Sequence, residues 1–122
     1  MRRGDVVLVS GKGDYGKSRP AVIVQADYLA DRLESITVCP LTSDVLKNVS
    51  IRIGLEPSAS NVLQLPSEVM VDKMQTYPRA KVFGPIGTLL DSDILRLDQA
   101  LAFFLQLDQV FAPSPPSRTG SS

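Results

Sequence analysis

The chain has no histidine, no tryptophan and a single cysteine, Cys39, among 122 residues. Without histidine it lacks the side chain that ordinarily titrates near neutral pH, and with it the commonest transition-metal ligand. One thiol gives no intramolecular disulfide, fits a reducing compartment, and leaves N/S zinc sites without donors. The carboxylates are scattered and show no calcium-loop spacing. Any catalysis must therefore run without a bound transition metal or a Ser-His-Asp triad. No apolar run approaches the ~18 residues of a spanning helix. Met1-Arg2-Arg3 leads into a strand-like segment rather than a secretory apolar block, so a cytoplasmic, soluble domain is expected. The formal net charge is +0, which by itself speaks against a nucleic-acid binder.

What is present is more specific. A hydrophobic fraction of 43% is enough for a core, and the length fits a single domain, taken as residues 1–112. The Pro/Ser-rich tail 113–122 has nothing to bury and is expected to be disordered. Charge is unevenly spread. Residues 1–25 carry Arg2, Arg3, Lys12, Lys17 and Arg19 against Asp5 and Asp14, and residues 66–83 carry Lys73, Arg79 and Lys81 against Glu68 and Asp72. Convergence of these two segments would make a positive groove on a neutral protein.

Apolar runs at 5–9, 20–24 and 35–39 predict three strands, the third ending at Pro40. Residues 27–34 read as a helical turn or loop. Alternation over 49–53 predicts a half-buried strand with Val49, Ile51 and Ile53 inward. Further short strands are expected at 62–65, 68–71 and 81–83, with Gly and Pro at 84–87 closing the β region. Asp91 then reads as a helix N-cap, and Ile94, Leu97, Leu101, Phe104 and Leu105 form one apolar stripe. Phe103 and Leu107 lie beside it, an excess that either a dimer contact or a larger core would cover. The expected fold is mainly β (α+β): a small, strongly curved antiparallel barrel with a C-terminal α-helix packed on it. Cys39 reads as a small core residue.

The segment Lys17-Ser18-Arg19-Pro20-Ala21-Val22-Ile23-Val24 stands out. It sets a guanidinium at a strand mouth, beside a glycine-rich loop at 10–17, where its planar fork suits two phosphate oxygens. In that loop Tyr15 offers an aromatic ring for stacking, and Lys12 and Lys17 either contact phosphates or simply keep the loop soluble.

Four segments in order resemble the MazF/PemK (Kid) toxins of toxin–antitoxin systems. They are Arg3-Gly4-Asp5-Val6-Val7, the Arg19-Pro20 segment, Thr37 to Ser43, and Ser67 to Thr76 continuing through Arg79 and Ile86 to Leu89. The resemblance spans roughly 2–107. It implies an SH3-like barrel, usually homodimeric, that cuts single-stranded RNA without a metal or other cofactor and is neutralised by a separate antitoxin. It also implies Arg19 and Thr42 as the catalytic pair, with Tyr15, Lys17, Ser43, Asp72, Lys73, Gln75 and Arg79 as the candidate RNA contacts. The chain departs from the pattern in two places. Lys73 follows Asp72 where the family commonly has Asp-Gln, and Met70 stands where Kid-type proteins carry a catalytic arginine. Since arginine stays protonated, the proton acceptor is left open: Asp72 is one alternative, and it reads equally as a structural salt bridge or turn contact. Two other readings share the fold: a CcdB-like gyrase poison, which a chain without tryptophan fits poorly, and a non-catalytic SH3-like binding module.

Overall fold

A computed structural model describes residues 1–10, 17–45 and 51–111, without the Phe111 side chain. The expected tail at 113–122, Lys12, Tyr15 and Val49 lie outside the described residues. Among the described residues seven strands are present: β1 (Asp5–Ser10), β2 (Ser18–Ile23), β3 (Ser35–Thr42), β4 (Ile53–Leu55), β5 (Ser67–Val69), β6 (Gln75–Pro78) and β7 (Val82–Thr88). Helix α1 (Asp27–Ala30) links β2 to β3, and α2 (Asp91–Phe104) and α3 (Asp108–Phe111) end the chain. The sheet order is β4-β5-β3-β2-β1-β7, with β6 also pairing β3, and every pairing is antiparallel.

Connection length shows how strongly the sheet curls. From β6 to β7 the path runs through β3, β2 and β1, so a flat sheet would set them about 19 Å apart at ~4.8 Å per strand. The chain joins them through the single 3-10 turn Arg79–Lys81, which spans less than half that distance at ~2 Å per residue. The sheet must therefore roll until its margins approach. The curvature expected of a barrel is present, although among the described residues no ladder joins β4 to β7.

The register explains the continuous apolar runs. Val6 pairs with Val22 and Val22 with Cys39, and all three join Leu97 and Leu101 of α2 in one core cluster. Val7, Ala21 and Val38 fall on the opposite face, with Ile36 and Val82 in a second cluster. Strands buried on both faces lose the polar half of the alternation.

Several local expectations are corrected. β3 does not stop at Pro40. There it exchanges partners, from β6 over Ser35–Val38 to β5 over Leu41–Thr42, and the Pro40 carbonyl accepts the Met70 N–H at 2.8 Å. The run 62–65 is not a strand, because side-chain bonds from Asn61 shape it as a loop. The 68–71 strand is displaced to Ser67–Val69, and Val71 opens a 3-10 turn, Val71–Lys73. β6 was not anticipated, since its mostly exposed residues show no apolar alternation. β7 runs through 84–87, where a register shift opposite Val6–Leu8 absorbs Gly84 at φ +133°, a bulge geometry open to glycine. Of the expected 49–53 strand, the described residues are 51–53; of these Ile53 is in a strand and Ile51 is half-buried. α2 is preceded by Leu90 as N-cap, with Asp91 and Asp93 in its first turn. Its buried residues are Leu97 and Leu101, packed with Ile94 and Ala100, while Phe104 and Leu105 are exposed.

Cys39 is fully buried, and burial pushes its thiol from the ordinary 9.0 up to about 12, against a smaller lowering by Arg3. A folded pKa above the unfolded one means full stability below about pH 9, lost progressively as pH rises from 9 towards 12. Cys39→Ala should flatten that alkaline loss in denaturant melts. Native Cys39 should also react with iodoacetamide at pH 8 only as fast as the protein unfolds.

Candidate active site

The β2–β3 register carries the central geometry. Ala21 pairs with Pro40, Val22 with Cys39 and Ile23 with Val38. Carried towards the strand ends, the same register sets Arg19 opposite Thr42. Both line one open groove of about 320 Å³, together with Ser43. Leu63, Gln64 and Leu65, from the loop between β4 and β5, form the facing wall. Two adjacent strands thus deliver a guanidinium and two hydroxyls to one cavity.

Thr42 is oriented within it. Its Oγ1 accepts the Asp44 N–H at 3.1 Å, a turn that fixes the hydroxyl rotor. One lone pair is used, and the O–H is the group that can be donated to a phosphate oxygen in the groove. Arg19 is exposed at the start of β2, where Pro20 fixes the backbone immediately after it.

The other anticipated residues divide into three groups. Asp72 and Lys73 sit on the 3-10 turn Val71–Lys73, and Gln75 opens β6 opposite Val38. Gln75 thus lies four residues along β3 from Thr42, about 13 Å at ~3.3 Å per residue, and none of the three lines the groove. Gln75 Oε1 accepts the Tyr77 hydroxyl at 2.7 Å. Lys17 is exposed and does not line the groove. Arg79 is turned to the backbone, donating to the carbonyls of Leu33 at 2.8 Å and of Ala30. The N-terminal cations also point elsewhere, Arg2 pairing with Asp27 at 3.5 Å and Arg3 with Asp98. Arg2, Arg3 and Arg79 thus do not add their charge to the groove, and among the described residues that line it Arg19 is the cationic one.

Asp72 is held in a two-point ion pair. Arg52 Nε donates to Oδ1 at 3.0 Å and Nη2 to Oδ2 at 3.1 Å. Those hydrogen bonds hold the Asp72 carboxyl below its ordinary range and raise the already high Arg52. Such a carboxylate is a poor proton acceptor near neutral pH. Arg52 escaped the sequence reading because its partner lies twenty residues away, and no short-range pattern marks the pair. Among the described residues no group of three or more His, Cys, Asp or Glu is placed to hold a metal ion.

A family model for PemK-like, MazF-like toxins of type II toxin–antitoxin systems matches residues 2–105. This chain belongs to the PemK/MazF toxin family. Among its relatives is a probable endoribonuclease MazF of Mycolicibacterium smegmatis, 39% identical over 106 residues, covering 86% of this chain and 96% of the relative. The solved Mycobacterium tuberculosis toxin MazF-mt6 superposes with a TM-score of 0.73 at 28% identity, over 85% of this chain and 98% of that one. A mycobacterial endoribonuclease, solved in complex with its cognate antitoxin, has a TM-score of 0.74 over 94% of this chain and 99% of its own. At 19% identity that likeness speaks for the PemK/MazF fold alone.

Proposed function

We propose that this chain is a toxin endoribonuclease that cleaves single-stranded RNA at short specific sequences, with Arg19 and Thr42 acting on the scissile phosphate. The observation that carries the reading is the meeting of Arg19, Thr42 and Ser43 in one groove. Attack of a 2′-hydroxyl on the adjacent phosphorus builds negative charge on the phosphorane oxygens. Preorganised donors aimed there lower the barrier. Arg19 supplies a fork for two oxygens, and the turn-locked Thr42 hydroxyl supplies a third donor without reorganising. The reaction so written needs no metal, in keeping with a chain without histidine.

The protein acts in the cytoplasm as a homodimer and is silenced by a cognate antitoxin whose acidic segment covers the cationic groove. No helix among the described residues is long and apolar enough to cross a membrane. Phe103, Leu105 and Val110 leave an exposed apolar end on α2 and α3, surface of the kind a protein partner covers.

The test is incubation of the purified protein with a long single-stranded RNA in EDTA. Cleavage at a few sites is expected, leaving a 2′,3′-cyclic phosphate and a 5′-hydroxyl. Thr42→Ala should slow it about 100-fold, the lower end of what the loss of one oriented donor costs. A requirement for magnesium would overturn the mechanism, and inert RNA together with gyrase inhibition would overturn the function.

A further inference from the structure

The wall facing Arg19 and Thr42 differs in chemistry from theirs. Residues 61–67, Asn-Val-Leu-Gln-Leu-Pro-Ser, contain no ionisable side chain, so this wall offers no charge to a phosphate. It offers apolar surface instead, Leu65 at 59% exposure with Leu63 beside it, and one amide, Gln64. We propose that Gln64 is a specificity-determining residue that reads an adenine next to the scissile phosphate, over an apolar ledge formed by Leu63 and Leu65. The inference rests on the RNA-cleaving role of the Arg19–Thr42 groove.

The wall is built to hold a fixed position. Asn61 is 1% exposed. Its Oδ1 accepts the N–H groups of Ser58 at 2.9 Å and Leu63 at 3.0 Å, and its Nδ2 donates to the Glu56 carbonyl at 2.9 Å. Val62 is held at φ +53°, a conformation a β-branched residue adopts only when its surroundings impose it. From the other side β7 presses on the loop. The Thr88 N–H donates to the Ser60 carbonyl at 2.8 Å, and a Cβ on Gly87 would stand 2.7 Å from that same oxygen. At the far end Ser67 Oγ donates to the Leu65 carbonyl at 2.9 Å. Residues 63–65 are thus pinned at both ends, as a recognition surface needs to be.

Ligand size and polarity follow from the cavity. About 320 Å³ lies at the small end of ligand sites, which run from about 300 to 1,000 Å³, and suits one nucleotide rather than a run of them. Single-stranded RNA is read through the edges of unstacked bases lying on flat apolar or aromatic surface. A glutamine amide carries a donor beside an acceptor, the pattern that matches N6 and N7 of adenine.

The experiment compares RNAs that differ only in the bases flanking the cleaved phosphate. Wild-type protein should prefer adenine at one flanking position, and Gln64→Ala should relax that preference about 10-fold or more, at that position alone. Gln64→Glu, which presents acceptors only, should move the preference towards cytosine, whose N4 donates. A new preference cannot arise from misfolding, and Gln64 is exposed, so both variants should melt with the wild type. Unchanged preferences in both variants would overturn the role of Gln64 while leaving the cleavage reaction standing. A wild-type preference for another base at both flanking positions would overturn adenine as the ligand. Failure of the wild type to cut any RNA would instead remove the reading on which the inference rests.

Discussion

Arg19→Ala is expected to lower the RNA cleavage rate about 10³-fold while leaving the fold intact. Loss of one preorganised donor to a developing oxyanion typically costs about 10²–10³ in kcat, roughly 3–4 kcal/mol. Arg19 supplies the groove's cationic side chain and two donors in one plane, which places it at the upper end of that range. The contrast between binding and turnover is the sharper test. A donor whose interactions strengthen as charge develops lowers kcat and kcat/KM together, whereas a contact made equally in ground and transition states raises KM alone. Single-turnover cleavage at saturating protein isolates the first quantity. Arg19→Lys keeps the charge but loses the fork, and should fall between wild type and Arg19→Ala. Equal rates for the lysine variant and the wild type would mean that charge alone suffices. A fall of less than 10-fold for Arg19→Ala would remove Arg19 from the chemistry.

Arg19 and Thr42 were legible as a pair only through the resemblance to the PemK/MazF toxins, and the strand register supplies the physical reason that they meet. The apolar runs around Val22 and Cys39 fix which residues pair, and the pairing carries both polar residues to the same end of the sheet. The facing wall was not legible, for a physical reason. Asn61 organises it through side-chain bonds to backbone, which leave no periodicity, and Val62 is a β-branched residue that propensity assigns to a strand. The helix stripe was only half legible. Ile94, Leu97 and Leu101 pack inward, but the stripe drawn on to Phe104 and Leu105 runs past the packed face, whose remaining contact is Ala100. Charge was the least legible feature. Arg79 reads as a groove cation from its neighbours in sequence, yet its guanidinium closes the turn after α1 through the carbonyls of Ala30 and Leu33. Long-range pairings such as Arg52–Asp72 lie beyond any local pattern.

That ion pair sets the second large effect. Asp72→Ala is expected to destabilise the protein by about 2 kcal/mol, between the ~0–1 kcal/mol of exposed pairs and the ~3–5 kcal/mol found when one partner of a buried pair is removed. The intermediate value applies because the pair is part-buried, the Asp72 side chain keeping 27% exposure and Arg52 7%. The melting temperature should fall on the order of 10 °C for a chain of this size. The asymmetry predicts an order. Removing Asp72 strands a buried guanidinium, whereas Arg52→Met leaves a carboxylate that water can reach, so the aspartate variant should be the less stable of the two. A double-mutant cycle should return a coupling well above the ~1 kcal/mol of exposed pairs. The pH dependence follows in sign from the depressed Asp72 pKa. Its contribution is fully present above the ordinary carboxylate value of about 3.9 and is lost as pH falls through the lower folded value. Wild type and Asp72→Asn should therefore converge in stability at the acid end and keep a full, constant separation above about pH 4. The same variant decides the role of Asp72 in chemistry. If Asp72 only holds its turn to Arg52, Asp72→Asn should keep the shape of the pH–rate profile near neutrality, with kcat within a few-fold of wild type. Were Asp72 the proton acceptor, kcat would drop by about 10²–10⁴ and the acid limb of the profile would disappear.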